Sequence, residues 1–86
     1  MKYYVYMVRC ADDSLYTGIT TDIDRRIDEH NGVSKTKKGA KYTQHRRPVT
    51  LVYSAEYENR SQASIEESRI KKLNRKQKED FLKKHS

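Results

Sequence analysis

The sequence predicts a small α+β fold, a single sheet with helices packed on it, and three observations carry that expectation. Three short runs rich in Tyr, Val and Thr, at residues 3–10, 15–20 and 50–57, lie between turn-forming residues and read as strands. Three other stretches pair a capping residue with apolar positions at helical spacing. The resulting order is strand, strand, helix, strand, helix, helix. With 86 residues the chain is expected to form one domain over 1–86. A chain of that size buries roughly two-thirds of its extended surface, so one sheet and its helices exhaust the core.

Residues 3–10 are too apolar for simple alternation, which suits a strand covered on both faces and therefore central. Ala11-Asp12-Asp13-Ser14 is a turn whose side chains can bond back to their own backbone. The run from Leu15 to Thr20 returns as the second strand of a hairpin. Gly18 interrupts it, and a glycine there marks a bulge or a close approach of neighbouring atoms. Thr21 or Asp22 can cap a helix reaching Glu29 or His30, Thr21 and Asp24 having capping-box spacing, and Asn31-Gly32 stops it. Ile23 and Ile27 face the sheet. Arg26 and His30, three and seven residues after Ile23, share that side, whereas Arg25, Asp28 and Glu29 read as solvated.

Residues 31–48 form a long basic loop without either period, and loops longer than about 12–15 residues are uncommon in compact domains unless functional or disordered. Tyr42 and His45 within it are candidates to touch bases or sugars, or merely to pin the loop. Thr50 to Tyr57 is the third strand. Ser61 is expected to cap a helix through about Leu73, with a core stripe of Ala63, Glu66 or Glu67, Ile70 and Leu73. Asn74 with Gln77 has the capping-box pattern and opens a last helix carrying Phe81 and Leu82.

Nineteen Lys and Arg against twelve Asp and Glu give a net charge of +7, which favours a polyanionic partner. The distribution is uneven: residues 25–47 carry +6 and residues 60–86 carry +5, while 1–24 and 48–59 are each −2. No apolar run approaches the ~20 residues that span a bilayer, and no signal-peptide pattern precedes the first strand, so a cytoplasmic protein with no membrane partner is expected. The lone Cys10 makes neither an internal disulfide nor a structural zinc site and reads as a small buried residue. Phosphate-cradling glycine loops, HExxH helices and nucleophilic serine elbows are all lacking.

Several side chains could nevertheless do chemistry. Tyr6 and Tyr16 place two phenols on the hairpin, although a free phenol with a pKa near 10 is a poor base unless cations favour its phenolate. A guanidinium such as Arg26 suits the two parallel bonds of a phosphate clamp. It can equally lie over the sheet edge with its stem packed, and His30 can be a half-buried residue bonded to backbone. Glu66 and Glu67 offer a carboxylate for a hard divalent ion, or, for Glu67, an i,i+4 partner for Lys71.

Tyr4-Val5-Tyr6, followed ten residues later by Tyr16-Thr17-Gly18, resembles the paired signature of the GIY-YIG nuclease superfamily. VYMVRCADDSLYTGITTDIDRRIDEHN, GAKYTQHRRPVTLVYSAEY and IKKLNRKQKE, in that order, are similar to its small stand-alone bacterial branch, the UPF0213 family. The resemblance implies a three-stranded antiparallel sheet flanked by three helices, with phosphodiester hydrolysis by one divalent metal, Mg²⁺ or Mn²⁺. It implies that Tyr6 and Tyr16 are the signature tyrosines, Arg26 the residue on the scissile phosphate, and His30 a helper for water or leaving group. It also places the metal on Glu67 rather than Glu66. Tyr4 stands where the first signature has glycine, Thr17 where the second has isoleucine, and Ile19 where relatives in excision repair have lysine. The expected function is a structure-selective or weakly specific DNA endonuclease acting on branched or nicked DNA in repair or recombination. The alternative is a non-catalytic module binding DNA or RNA through the basic loop, and a ribosome-associated domain is a third reading.

Overall fold

The computed structural model describes residues 2–32 and 46–85. Its elements are β1 (Tyr3–Arg9), β2 (Leu15–Thr20), α1 (Ile23–His30), β3 (Thr50–Tyr57), α2 (Arg60–Lys71) and α3 (Arg75–Lys84). The strands form one antiparallel sheet in the order β2-β1-β3, so three helices flank a three-stranded sheet. Tyr42 and His45 lie outside the described residues.

β1 is central because both of its faces are apolar. Val5 and Met7 point to one side and Tyr6 and Val8 to the other, and all four are buried. The sheet therefore has two cores. On one face, Val5, Met7 and Leu15 pack against Ala63 and Ile70 of α2 and Leu82 of α3. On the other, Tyr6, Val8, Cys10 and Val49 pack with Tyr16 and with Ile23 and Ile27 of α1. A helix on each face is what a strand without alternation requires.

Side chains set the local geometry as the sequence anticipates in most places. Ser14 donates its backbone N–H to Asp12 Oδ1 at 3.1 Å, and Asp13 takes the left-handed conformation at φ 70° that closes the hairpin. The Ser14 bonds also hold the Asp12 carboxyl below its ordinary value. Asp22 caps α1, accepting from Arg25 N at 3.1 Å. The Thr21–Asp24 box does not form: it is Thr20 whose hydroxyl accepts from Asp22 N and donates to Asp22 O. Gly32 at φ 74° ends the helix, its N–H reaching Glu29 O at 3.1 Å.

α2 begins earlier than expected. Asn59, not Ser61, is its cap: extended backbone puts the Asn59 amide oxygen 2.9 Å from Gln62 N, and Ser61 becomes the second helical residue. The Asn74–Gln77 capping box is present on both sides. Asn31 ties α1 to β3, since its amide accepts from Val49 N at 2.6 Å and donates to Val49 O at 3.2 Å. Arg47 adds a bond from Nε to His30 O at 2.7 Å. Together they fix the end of α1 against the face that carries Tyr6.

Candidate active site

In the antiparallel register Tyr6 faces Gly18 and Val8 faces Tyr16, so both signature tyrosines lie on the α1 side of the sheet. Gly18 is there because of a close approach: a Cβ at this position would sit 2.6 Å from Tyr6 Oη and 2.8 Å from Cζ. The Tyr6 ring lies across the glycine and reaches α1. There its hydroxyl stands 2.7 Å from His30 Nε2, and Arg26 donates Nε to the same oxygen at 3.3 Å. Tyr16 closes the group, with its ring centre 6.5 Å from that of Tyr6 and 5.3 Å, edge-on, from that of His30. Four of the five residues singled out in the sequence thus meet in one cluster.

Burial decides where the protons sit. Tyr6 is 1% exposed and His30 is fully buried. Desolvation pushes the Tyr6 phenol up to about 12, against the opposing bond and charge of Arg26. Desolvation, with repulsion from Arg26, lowers His30 to about 4 despite the attraction of Glu29. At neutral pH both groups are uncharged. Tyr6 then donates its hydroxyl proton to His30 Nε2, which places the imidazole proton on Nδ1. The lone pairs of Tyr6 Oη face Arg26.

Glu29 is the residue that helical periodicity missed. It reads as solvated in the sequence, yet it is 8% exposed and accepts from Arg26 Nη1 at 2.9 Å. Burial opposes the charge of Arg26, and the bonds to Glu29 and Tyr6 more than offset it, leaving the guanidinium pKa raised. Glu29 therefore orients the arginine fork from behind while Tyr6 receives its Nε–H. An acidic residue three positions after Arg26 was the available signal.

Among the described residues, Glu67 is joined to this cluster by charge and not by a hydrogen bond or ion pair. It lies on α2, half-buried, in ion pair with Lys71 at 3.4 Å. Its negative charge nevertheless adds to the upward shift of Tyr6, so it is electrostatically coupled to the phenol. Glu66, the other carboxylate of the stripe, is engaged by Arg69 through two nitrogens. Among the described residues, no three His, Cys, Asp or Glu side chains gather to hold a metal ion. The donor set at Glu67 is one hard oxygen, compatible with a divalent ion whose remaining positions are filled by substrate phosphate and water. No helix is long and apolar enough to cross a membrane among the described residues.

Comparison with known proteins agrees with this architecture. The GIY-YIG catalytic domain matches residues 2–80. A UPF0213 protein of Desulfotalea psychrophila is 52% identical over 81 residues, covering 94% of this chain and 71% of its own length. One from Staphylococcus haemolyticus is 51% identical, covering 90% of this chain and 89% of the relative. The solution NMR structure of a UPF0213 protein from Bacillus halodurans superposes with a TM-score of 0.61 at 42% identity, over 96% of this chain and 84% of that one. An NMR structure of a protein from E. faecalis gives 0.65 at 44%, over 98% and 85%. Sequence and overall fold agree, and the chain belongs to the UPF0213 family of the GIY-YIG superfamily.

Proposed function

We propose that this protein hydrolyses phosphodiester bonds in DNA as a metal-dependent, structure-selective or weakly specific endonuclease. The observation that supports the reading is the cluster in which Tyr6, Tyr16, His30 and Arg26 meet on one face of the hairpin. Tyr16 is only partly buried, so its phenol is the one that orients or deprotonates the attacking water. Tyr6 and His30 are sealed from solvent and act through Tyr16 and Arg26, not on substrate directly. Arg26 neutralises charge that grows on the phosphate in the transition state, with its fork held by Glu29. Glu67 would hold the Mg²⁺ or Mn²⁺, which when bound supplies Lewis-acid polarisation of the phosphate. The products are a 5′-phosphate and a 3′-hydroxyl.

A second reading, a module that binds DNA or RNA without cleaving it, draws on the Glu67–Lys71 ion pair, which occupies the carboxylate. One experiment separates the two. Plain, nicked and branched DNA are incubated with Mg²⁺ or Mn²⁺ and the wild type, Tyr16→Phe, Arg26→Ala or Glu67→Ala proteins. A nuclease loses roughly 10²–10³ in rate on removal of Arg26 and loses cleavage without Glu67. Cleavage unchanged in Glu67→Ala would remove the metal assignment, and salt-sensitive binding with no cleavage would establish the second reading.

A further inference from the structure

Beside the tyrosine cluster, a pocket of about 310 Å³ opens at the end of β2, between α1 and the start of α2. Tyr3 and Ile19 form its apolar wall, and Arg25, Arg26 and Arg60 bring three guanidiniums to it. Glu29 is the one carboxylate in the lining, and it is engaged by Arg26 at 2.9 Å. Its other oxygen is 3.9 Å from Arg25 Nε, the outer limit for an ion pair, and the Arg25 side chain is 59% exposed. Arg60 makes no ion pair among the described residues. Two cations in this pocket are thus weakly engaged or unengaged, while elsewhere on the described surface Arg9, Arg46, Arg69 and Arg75 are each paired to a carboxylate within 3 Å. Arg25 and Arg60, which the protein leaves weakly compensated beside the paired Arg26, repel one another and that guanidinium, and an anion would relieve this repulsion.

From this we infer that the pocket is a second phosphate subsite, holding a backbone phosphate of the nucleic-acid strand next to the one at Arg26. The inference rests on the proposed action on nucleic acid but not on cleavage. Arg26 borders both sites, so a strand lying on the tyrosine cluster continues over Ile19 towards Arg60. Arg25 and Arg60 would each give the phosphate a planar fork of donors. A contact of this kind positions the strand and carries no base information. The protein would therefore need a phosphate on a particular side of the bond in question, and would bind poorly to an end that lacks it.

Binding measured in EDTA, where no cleavage occurs, tests this without depending on the nuclease reading. Fluorescence anisotropy follows a short single strand and a nicked duplex with wild type and Arg25→Ala/Arg60→Ala. Lys76→Ala/Lys84→Ala removes the same charge on α3 as a control. The arginine pair should weaken binding about tenfold at moderate salt and lower the salt slope by roughly one to two, with the α3 pair well short of this. Methylphosphonate, which removes one phosphate charge at a time, should weaken the wild type at one flanking position and leave the double variant unchanged there. Additive losses at every position, or a double variant that binds like the wild type, would overturn the subsite. Failure of cleavage alone, with this coupling intact, would remove the nuclease and keep the subsite.

Discussion

Acidification should unlock the buried cluster at His30, and its size follows from the structure. The imidazole accepts from Tyr6 at 2.7 Å, is fully buried, and has Arg26 and Arg47 near it with Glu29 as the opposing charge. Its pKa falls from 6.5 to about 4. Between those values the unfolded chain binds a proton that the folded one refuses, so stability is full above 6.5 and is lost as pH falls towards 4. One proton corresponds to about 1.4 kcal/mol per pH unit in that window, which sums to about 2 kcal/mol between pH 7 and pH 4.5. Asp12, Glu58 and Glu79 also have depressed pKa values, and their contributions are lost at lower pH, below the ordinary carboxylate range. The assay is urea unfolding from pH 7 to pH 4.5 for wild type and His30→Gln, which keeps an acceptor for Tyr6 without titrating. The wild-type curve should fall more steeply than that of the variant. Parallel curves, or imidazole NMR signals of His30 that titrate at the ordinary value in the folded protein, would refute the buried neutral histidine.

Three further outcomes follow from single contacts. Gly18→Ala puts a methyl 2.6 Å from Tyr6 Oη, so the ring must leave His30; chemical denaturation should show a loss of about 1–3 kcal/mol, with the His30 signals shifted. Glu29→Gln removes the charged partner of Arg26 but keeps an acceptor, so the proposed cleavage should drop several-fold while circular dichroism stays native, and Glu29→Ala should drop further. Asn31→Ala deletes both bonds to Val49 and should cost about 1–3 kcal/mol in unfolding experiments, because a buried N–H and C=O lose their partners.

Most of the fold was legible because it is written in short-range chemistry. A run without alternation gave the central strand, Asp22, Gly32 and the Asn74–Gln77 pair marked helix ends, and Gly18 announced the close approach that Tyr6 makes. Asn59 was missed because Asn59 and Ser61 offer two good caps two residues apart, and backbone direction out of β3 chooses between them. Glu29 was missed for a different reason. Helical periodicity measures which way a residue points relative to the sheet, and by that measure alone Glu29 reads as solvated. The side chains of Arg25 and Arg26 lie against it, and that covering is not a periodic signal. The Tyr6–His30 bond spans 24 residues and the Asn31–Val49 bonds span 18, so each depends on how α1 lies against the sheet.

The two tyrosines that look equivalent in the hairpin are made different by that packing. Tyr6 has an acceptor at 2.7 Å, a donor at 3.3 Å and almost no exposure, which is a satisfied interior group held in one orientation. Its phenol is pushed up to about 12, away from any use as a base at neutral pH. Tyr16 sits on the outer side of the same cluster, packed edge-on against His30, where it can meet water. Its ring is steadied by a histidine that is itself fixed by Tyr6, and Tyr6 is fixed by Arg26 and the space at Gly18. A chain of buried contacts thus sets the position of the cluster's one partly exposed phenol. Small losses anywhere along it, Glu29 included, should appear first as lost positioning at Tyr16 and Arg26 and later as lost stability.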